Sequence, residues 1–382
     1  MEFDLSWLLL GLPLAFGLGW LASRMDLRQW KRAQSDSPRA YYQGLNLLLN
    51  EQQDKAIDAF IEAVQHDPDT TELHFALGSL FRRRGEFERA VRVHQHLLNR
   101  GDLATSDRDR VQHELAQDFM KAGLFDRAEQ AYKALQGTPF DTDARLALLG
   151  LYERSREWEQ AADTAAALEK LGTGAFGTRI AHHWCERALE LDGRGQPDEA
   201  AAALATARAA APNAPRPLLL AGQRALRLGD AAGALALWGD LEVRDPQVFQ
   251  LVAQDYAEAA RAAGQQEAAR QRLTEAYRRA PSLPLLRALA RLDGAELADA
   301  PGLLPHLAAQ PTLSAALGVL ARPVEQWDAA SAQAVREAVA RAAKPLQRYR
   351  CAACGFEAQR HFWQCPGCLS WDSFPPRMLD EP

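Results

Sequence analysis

The chain has 382 residues, of which 47% are hydrophobic and 25% charged, and these fractions are typical of a folded protein rather than a disordered one. Its formal net charge is −6, which argues against a broad nucleic-acid-binding surface, because such a surface needs clustered excess Lys and Arg. Only five cysteines occur, and four of them fall in one metal-type motif, so a reducing compartment is indicated rather than a disulfide-stabilised secreted domain.

Residues 1–23 are predicted to form a transmembrane anchor, because residues 5–22 contain no charged side chain. As a helix these residues would span about 27 Å, close to the thickness of the bilayer core. Trp7 and Trp20 lie near the two ends, where aromatic residues favour the membrane interface. A cleaved signal peptide is the alternative, but its first segment is normally basic, and here it carries Glu2 and Asp4.

Residues 24–39 are predicted to be a polar juxtamembrane linker. Its positive charges outnumber its negative ones near the membrane and come from Arg24, Arg28, Lys31 and Arg32. Because positively charged flanks stay on the cytoplasmic side of a membrane, the sequence predicts a single-pass protein with its N-terminus outside and its bulk in the cytoplasm.

A recurring pattern of small residues predicts a helical repeat array over residues 40–345. Seven alanines recur at intervals of 33 to 39 residues, namely Ala56, Ala90, Ala128, Ala161, Ala200, Ala234 and Ala269. A small residue precedes most of them by twelve positions, and a bulky residue follows most of them by four, at Phe60, Tyr132, Leu204, Trp238 and Leu273. Proline follows four of them by twelve positions, at Pro68, Pro212, Pro246 and Pro281.

This period resembles that of the tetratricopeptide repeat, whose unit is two antiparallel helices. Small residues let the two helices approach closely, and proline ends the second helix. Seven units are predicted over residues 37–282, and Ala- and Leu-rich sequence at 283–345 is compatible with up to two further, degenerate units, so the array is predicted to hold about seven to nine. The two longest intervals predict inserted loops near residues 101–106 and 172–178.

Two motifs within the array have simpler structural explanations. Residues 172–177 match G-x-G-x-x-G, but they follow a predicted helix rather than a strand, which argues against a dinucleotide site. His182, His183 and Cys185 resemble a metal cluster, but no second pair joins them, so a buried structural cysteine is the favoured interpretation. The sequence contains no nucleophile-elbow or P-loop motif, and we predict that the protein is not an enzyme.

Arg82, Arg83 and Arg84 form the clearest run of charge. The simple interpretation is a solvated helix end that the helix dipole stabilises. A sharper hypothesis uses the repeat register, in which fixed positions of each first helix line a concave groove. That register selects Phe75, Arg82, Arg83, His113, Lys121, Arg154 and Arg227. Such a groove would favour an acidic peptide or a C-terminal carboxylate.

Residues 346–376 are predicted to form a small metal-binding ribbon, followed by a tail at 377–382. Cys351, Cys354, Cys365 and Cys368 are spaced C-x2-C-x10-C-x2-C, and two such pairs supply four thiolates to one tetrahedral ion. A closed all-cysteine site is structural, since catalytic zinc keeps one position open. Zinc and iron both fit this ligand set. A miniature core packed on the metal site is expected from Tyr349, Phe356, Phe362, Trp363, Trp371 and Phe374.

An anchor, a repeat array and this ribbon, in that order, resemble the lipopolysaccharide assembly protein B family of Gram-negative bacteria. The most specific residues are Tyr349-Arg350-Cys351-x-x-Cys354-Gly355-Phe356 and Trp363-x-Cys365-Pro366-x-Cys368-x-x-Trp371. The resemblance covers essentially the whole chain and implies a mainly α fold with a rubredoxin-like ribbon. The four cysteines carry over as metal ligands, whereas no groove residue does.

The resemblance implies a non-enzymatic adaptor on the cytoplasmic face of the bacterial inner membrane, with its N-terminus in the periplasm. In that family the adaptor promotes degradation of the committed-step lipid A deacetylase by a membrane AAA+ metalloprotease. A lipopolysaccharide-sensing inner-membrane protein antagonises it. Whether the chain forms a homo-oligomer stays open.

Two other functions are alternatives for a ribbon of this kind. An electron carrier with a rubredoxin-like iron site would be a coloured protein. A nucleic-acid-binding zinc ribbon is disfavoured, because residues 344–382 hold five Lys and Arg against four Asp and Glu and so form no basic patch.

Overall fold

The protein is described from a computed structural model, which covers residues 16–17, 19–20, 42–47, 49–50, 52–66 and 69–380. The chain divides into two compact units, Met1–His183 and Trp184–Pro382. The described parts of both units are mainly α-helical, and the second ends in a small two-stranded ribbon.

The helices run along the chain with short connections. They are α1 Gln53–His66, α2 Thr71–Arg83, α3 Phe87–Leu98, α4 Thr105–Lys121, α5 Phe125–Lys133, α6 Asp141–Ser155, α7 Trp158–Lys170, α8 Gly177–Gly193, α9 Pro197–Ala210, α10 Pro215–Arg227, α11 Ala231–Arg244, α12 Pro246–Phe249, α13 Ala253–Ala262, α14 Gln266–Arg279, α15 Leu283–Leu292, α16 Leu303–Ala309, α17 Leu313–Leu320 and α18 Ala329–Ala343. Short 3-10 helices span Leu297–Asp299 and Val324–Gln326. The strands are β1 Tyr349–Arg350 and β2 Glu357–Ala358.

The predicted repeat pattern is confirmed. All seven alanines of the pattern are at most 1% exposed. Helices α9, α11 and α14 each end two residues before a predicted proline, namely Pro212, Pro246 and Pro281. Within a repeat the first and second helices pack on each other, as α2 packs on α3 and α10 packs on α11. Gly85, with φ of 81°, makes the turn between α2 and α3 in a backbone conformation that other residues rarely adopt.

The helix pairs approach most closely where a small residue of the first helix faces a large ring of the second. A Cβ atom built on Gly222 would lie 2.3 Å from Nε1 of Trp238, and one on Gly78 would lie 2.4 Å from the His94 ring. Trp238 is fully buried, and its Nε1 donates a hydrogen bond to the Leu219 carbonyl oxygen at 3.2 Å. Glycine is therefore required at both contact points.

The irregular parts of the array lie where the spacing predicts them, with one addition. Residues 101–104 and 172–176 are loops before α4 and α8. The later helices α16 and α17 have only 7 and 8 residues, as expected of degenerate units. The first helix of the seventh unit is split into α12 and α13, and the Asp245 side chain caps α12 by accepting a hydrogen bond from the Val248 amide. The repeat spacing does not predict this break.

The predicted anchor at residues 1–23 lies outside the described residues, apart from residues 16, 17, 19 and 20. Among the residues that are described, no helix combines the length and the apolar character needed to cross a membrane.

Replacing Gly222 by Ala is expected to destabilise the array by about 1–3 kcal/mol, because the added methyl group overlaps Trp238 and forces the helices apart. Gly150 is the matched control, since it also lies in a first helix but a Cβ there would meet nothing within 4 Å. Gly150→Ala should stabilise the array by about 0.5–1 kcal/mol. Urea midpoints followed by circular dichroism measure both, and an equal shift in both variants would contradict the close-approach argument.

Candidate metal centre and repeat groove

The four cysteines lie on two knuckles that repeat the same backbone geometry. The Cys351 amide donates to the Phe356 carbonyl oxygen and the Cys365 amide to that of Ser370, each at 2.9 Å. Each knuckle then turns through a left-handed residue directly after its second cysteine. The first uses Gly355 at φ 78°, and the second uses Leu369 at φ 61°. A left-handed leucine costs about 1 kcal/mol, so the second knuckle is held by its surroundings.

The sulfur positions fit a tetrahedral metal site. All four Sγ atoms lie within 4.8 Å of one another. The Sγ atoms of Cys351 and Cys368 are 3.8 Å apart, and those of Cys354 and Cys365 are 3.7 Å apart. A regular tetrahedron with metal–sulfur bonds of about 2.3 Å has edges of about 3.8 Å, so these four cysteines would hold one such ion with little movement. Its chemistry there would be structural, because four thiolates leave no position for water.

Neighbouring hydroxyl groups favour the thiolate form that binds metal. Ser373 Oγ lies 3.2 Å from Cys351 Sγ, and this hydrogen bond lowers the pKa of the Cys351 thiol to about 6. Ser370 Oγ lies 3.3 Å from Cys368 Sγ and lowers the pKa of that thiol as well. The two serines act on Cys351 and Cys368 alone, whereas hydrogen bonds with the neighbouring thiols raise the pKa of the Cys354 thiol to about 12. Spacing alone did not predict these two serines.

The ribbon core is smaller than the sequence analysis expected. Cys351, Cys365 and Phe374 are buried together, with Tyr349 and Phe362 packed against them. The expected core was wrong for three of the six aromatic residues. The side chains of Trp363 and Trp371 are 70% and 68% exposed, and that of Phe356 is 41% exposed. A ribbon of this size has too little interior to cover six aromatic rings.

The predicted groove residues of the first compact unit, Met1–His183, do not form one continuous surface. Phe75 is buried, and the Arg110 guanidinium lies 4.0 Å above its ring. The His113 ring stacks on Phe140 with centroids 4.8 Å apart, and burial lowers the pKa of this imidazole. Arg83 and Lys121 are exposed and make no ion pair with another residue that the structure describes.

Arg82 belongs to a buried polar cluster between α2, α3 and α4 rather than to an open groove. Its Nη1 atom donates to Asp118 Oδ1 at 2.7 Å, and its Nη2 atom to Glu114 Oε2 at 2.5 Å. The other carboxylate oxygen of Asp118 lies 2.5 Å from His94 Nδ1, and neither of these two side chains is exposed. The cluster links two repeats. His94 occupies the position four residues after Ala90 where other units carry a bulky apolar residue, a signal that the sequence analysis did not use.

Arg154 and Arg227, the remaining predicted groove residues, also contact side chains within the array. The Arg154 guanidinium lies 5.4 Å from the Phe125 ring centroid and is exposed. In the second unit, Arg227 donates to Asp192 Oδ2 at 2.9 Å, and Arg224 donates to the other oxygen of the same carboxylate at 3.0 Å. The positive charge of Arg227 is therefore partly neutralised.

The two weaker motifs behave as their structural explanations predict. The G-x-G-x-x-G segment joins α7 to α8, and the described residues hold no strand near it. Cys185 is fully buried, and burial raises the pKa of its thiol to about 11. His183 Nε2 lies 2.7 Å from Glu153 Oε1 in an ion-pair cluster with Arg179. Among the described residues, only the four ribbon cysteines form a group that could hold a metal ion.

Comparison with known proteins agrees with this architecture. Residues 349–376 match the rubredoxin metal binding domain, and residues 41–102, 113–176 and 185–248 match the tetratricopeptide repeat. Lipopolysaccharide assembly protein B of Escherichia coli (strain K12) is 32% identical over an alignment of 387 positions, which covers 98% of this chain and 99% of that protein. The chain belongs to the lipopolysaccharide assembly protein B family.

A second member of the lipopolysaccharide assembly protein B family, from Haemophilus influenzae, is 28% identical over 97% of both chains. Among solved structures, a tetratricopeptide repeat protein from Parabacteroides merdae is similar over 67% of this chain and 98% of that one, with 15% identity and a TM-score of 0.34.

The purified protein is expected to carry one metal ion per chain, and Cys365→Ser plus Cys368→Ser is expected to carry none, because two thiolates cannot complete the tetrahedral set. Elemental mass spectrometry measures the content, and visible absorbance separates coloured iron from colourless zinc. Cys185→Ala removes a thiol far along the chain and should keep the metal. Metal retained by the double variant would show that these cysteines are not the ligands, and a zinc-loaded wild type would exclude the electron carrier.

Arg82→Ala is expected to destabilise the protein by about 3 kcal/mol, because it leaves the buried Asp118 carboxylate without its cation. Arg83→Ala should change the free energy of unfolding by less than about 0.5 kcal/mol, since its side chain is exposed. Thermal unfolding of both variants measures the difference. Equal losses of stability in the two variants would show that the buried cluster does not stabilise the repeats. Because Arg82 contributes to stability, a binding test of the predicted groove should substitute the exposed Arg83 or Lys121 instead.

Proposed function

We propose that this protein is a membrane-tethered adaptor that regulates lipopolysaccharide synthesis. It acts by promoting proteolysis of the committed-step lipid A deacetylase through a membrane AAA+ metalloprotease. The proposal depends on one observation above all, the match of 98% of this chain to a relative named for lipopolysaccharide assembly. Repeat arrays expose extended surfaces that bind other proteins, which supports an adaptor rather than an enzyme.

The tether is residues 1–23, joined through a linker at 24–39 to the array at 40–345. We propose a single pass through the inner membrane with the N-terminus in the periplasm and the bulk of the chain in the cytoplasm. The uncharged run at residues 5–22 and the positive charges that follow it support this topology. Tethering confines the array to a thin layer at the membrane and raises its effective concentration toward membrane-bound partners.

The protein has three proposed partners, namely the protease, the deacetylase and an inner-membrane protein that senses lipopolysaccharide. The repeats hold the deacetylase near the protease, and the sensing protein antagonises this contact. No step of this function needs a reacting group on the adaptor itself, which agrees with a four-thiolate site that leaves no open metal position.

The ribbon at residues 346–376 is proposed to be a docking module that depends on its metal. Its buried core contains only three fully buried side chains, two of which are cysteines. Metal binding contributes about 10–16 kcal/mol in zinc-finger peptides, so the ion and not apolar burial would hold this module folded. Loss of the ion would then disable the adaptor without removing any catalytic step.

The test is affinity capture from detergent-solubilised membranes of a strain that lacks its own copy of the gene. Wild-type protein should capture both the protease and the deacetylase, and the deacetylase should be degraded faster than in the empty strain. Cys365→Ser plus Cys368→Ser should lose capture and leave the deacetylase stable, because the ribbon no longer folds.

Cys185→Ala provides the matched control, since it removes a buried thiol from the repeats and leaves the ribbon intact. It should behave as wild type in both measurements. Wild-type capture that contains neither the protease nor the deacetylase would contradict the proposal, as would an unchanged deacetylase half-life in the empty strain.

A further inference from the structure

A pocket of about 560 Å³ in the second unit is lined by three arginines, Arg261, Arg287 and Arg291. Arg261 lies in the last turn of α13, and the other two lie one turn apart on α15. Helices α13 and α15 pack directly on each other, and the turn at residues 294–297 closes one side of the pocket. None of these three residues is among the positions that the repeat register predicts for the groove.

The three guanidinium groups differ in how the fold neutralises them. Arg291 forms an ion pair with Glu258. Arg261 Nη1 donates to the Arg291 carbonyl oxygen at 3.3 Å, a contact that carries no compensating charge. Arg287 is exposed and has neither a hydrogen bond nor an ion pair with any other residue in the described part of the chain.

Arg82 and Arg227, which also lie on first helices, differ from Arg287 because carboxylates of the fold pair with them. Arg82 is neutralised by two carboxylates, and Arg227 shares the Asp192 carboxylate with a second arginine. Of the three arginines that line the pocket, Arg291 is compensated by Glu258, which leaves Arg261 and Arg287 against the lining carboxylate of Glu296. These five side chains therefore keep one positive charge in excess, and Arg287 is the arginine that no other described residue pairs with.

The lining chemistry selects among anionic ligands. Guanidinium groups form paired, charge-assisted hydrogen bonds with carboxylates and with phosphates. Glu296 and Gln254 also line the pocket, and their oxygens need hydrogen-bond donors. Glu296 repels the second negative charge of a phosphate dianion, whereas each carboxylate of a peptide carries one charge and lies beside backbone N–H groups that can donate to Glu296 and Gln254.

We propose that this pocket binds an acidic segment of a protein partner through Arg261, Arg287 and Arg291. Aspartate or glutamate side chains, or a terminal carboxylate, contact the arginines, and peptide N–H groups contact Glu296 and Gln254. The inference deepens the proposed adaptor function, on which it rests, by assigning the chemistry of the partner to one surface of the array.

The experiment uses the purified full-length protein in detergent and a short fluorescein-labelled peptide rich in glutamate and aspartate. Fluorescence anisotropy should show binding that weakens as salt is added. Arg287→Glu should weaken it by at least about tenfold, since a charge-assisted hydrogen bond contributes about 1.5–3 kcal/mol. Arg287→Glu should fold normally, because Arg287 makes no contact that the fold requires.

Arg341→Glu is the matched control, because it makes the same charge change at an exposed position on α18. It should leave the affinity within about twofold of wild type. The same peptide with glutamine and asparagine in place of the acidic residues should not bind. Equal binding of that neutral peptide, or equal weakening by both arginine variants, would overturn the proposal.

Inorganic phosphate and vesicles of phosphatidylglycerol test the other anionic sources. Binding of either one that depends on Arg287, without binding of the acidic peptide, would make this a phosphate site and overturn the proposal. The outcome is separable from that of the membrane capture. Peptide binding without capture of the deacetylase supports the pocket and removes the adaptor function, and capture without Arg287-dependent peptide binding removes the pocket alone.

Discussion

The repeats depend on how closely two helices can approach within each unit. The approach is set by a small residue that faces a large ring, as Gly78 faces His94 and Gly222 faces Trp238. Close packing of this kind leaves no space for one added methyl group. Everything else in the array, including its period and the register of its surface side chains, follows from keeping this contact in successive units.

In the second repeat the large ring that faces the small residue is polar, because it belongs to His94. This polar ring determines which side chains the adjacent helices must place beside it. Once His94 fills the position of a bulky apolar residue, its buried Nδ1 atom needs a partner, and Asp118 of the next repeat supplies it. The buried carboxylate then needs a cation, which explains why Arg82 points inward. An arginine that the repeat register selects as a binding residue thereby stabilises the fold instead, whereas Arg83, Lys121 and Arg287 are exposed and make no ion pair with another described residue.

The ribbon obeys a different physical rule. It is too small to fold on apolar burial, and it repeats one knuckle twice so that four sulfur atoms meet at tetrahedral distances. The repetition extends to the left-handed residue, which is glycine in the first knuckle and leucine in the second. A metal ion held by the four cysteines would take the place of a larger apolar core, and Trp363 and Trp371 lie on the surface.

The sequence by itself determined the repeat period, the buried alanines and the four cysteines, because close approach and metal ligation each demand particular residues at fixed spacing. Tertiary structure decided which charged residues are free. The repeat register selected Arg82 and Arg227 from position alone, yet both are paired with carboxylates from other helices. Residue spacing also did not predict the break between α12 and α13 or the two serines beside Cys351 and Cys368. Spacing specifies which residues share a helix face, whereas the partner of a charge comes from a distant part of the chain that only folding brings near.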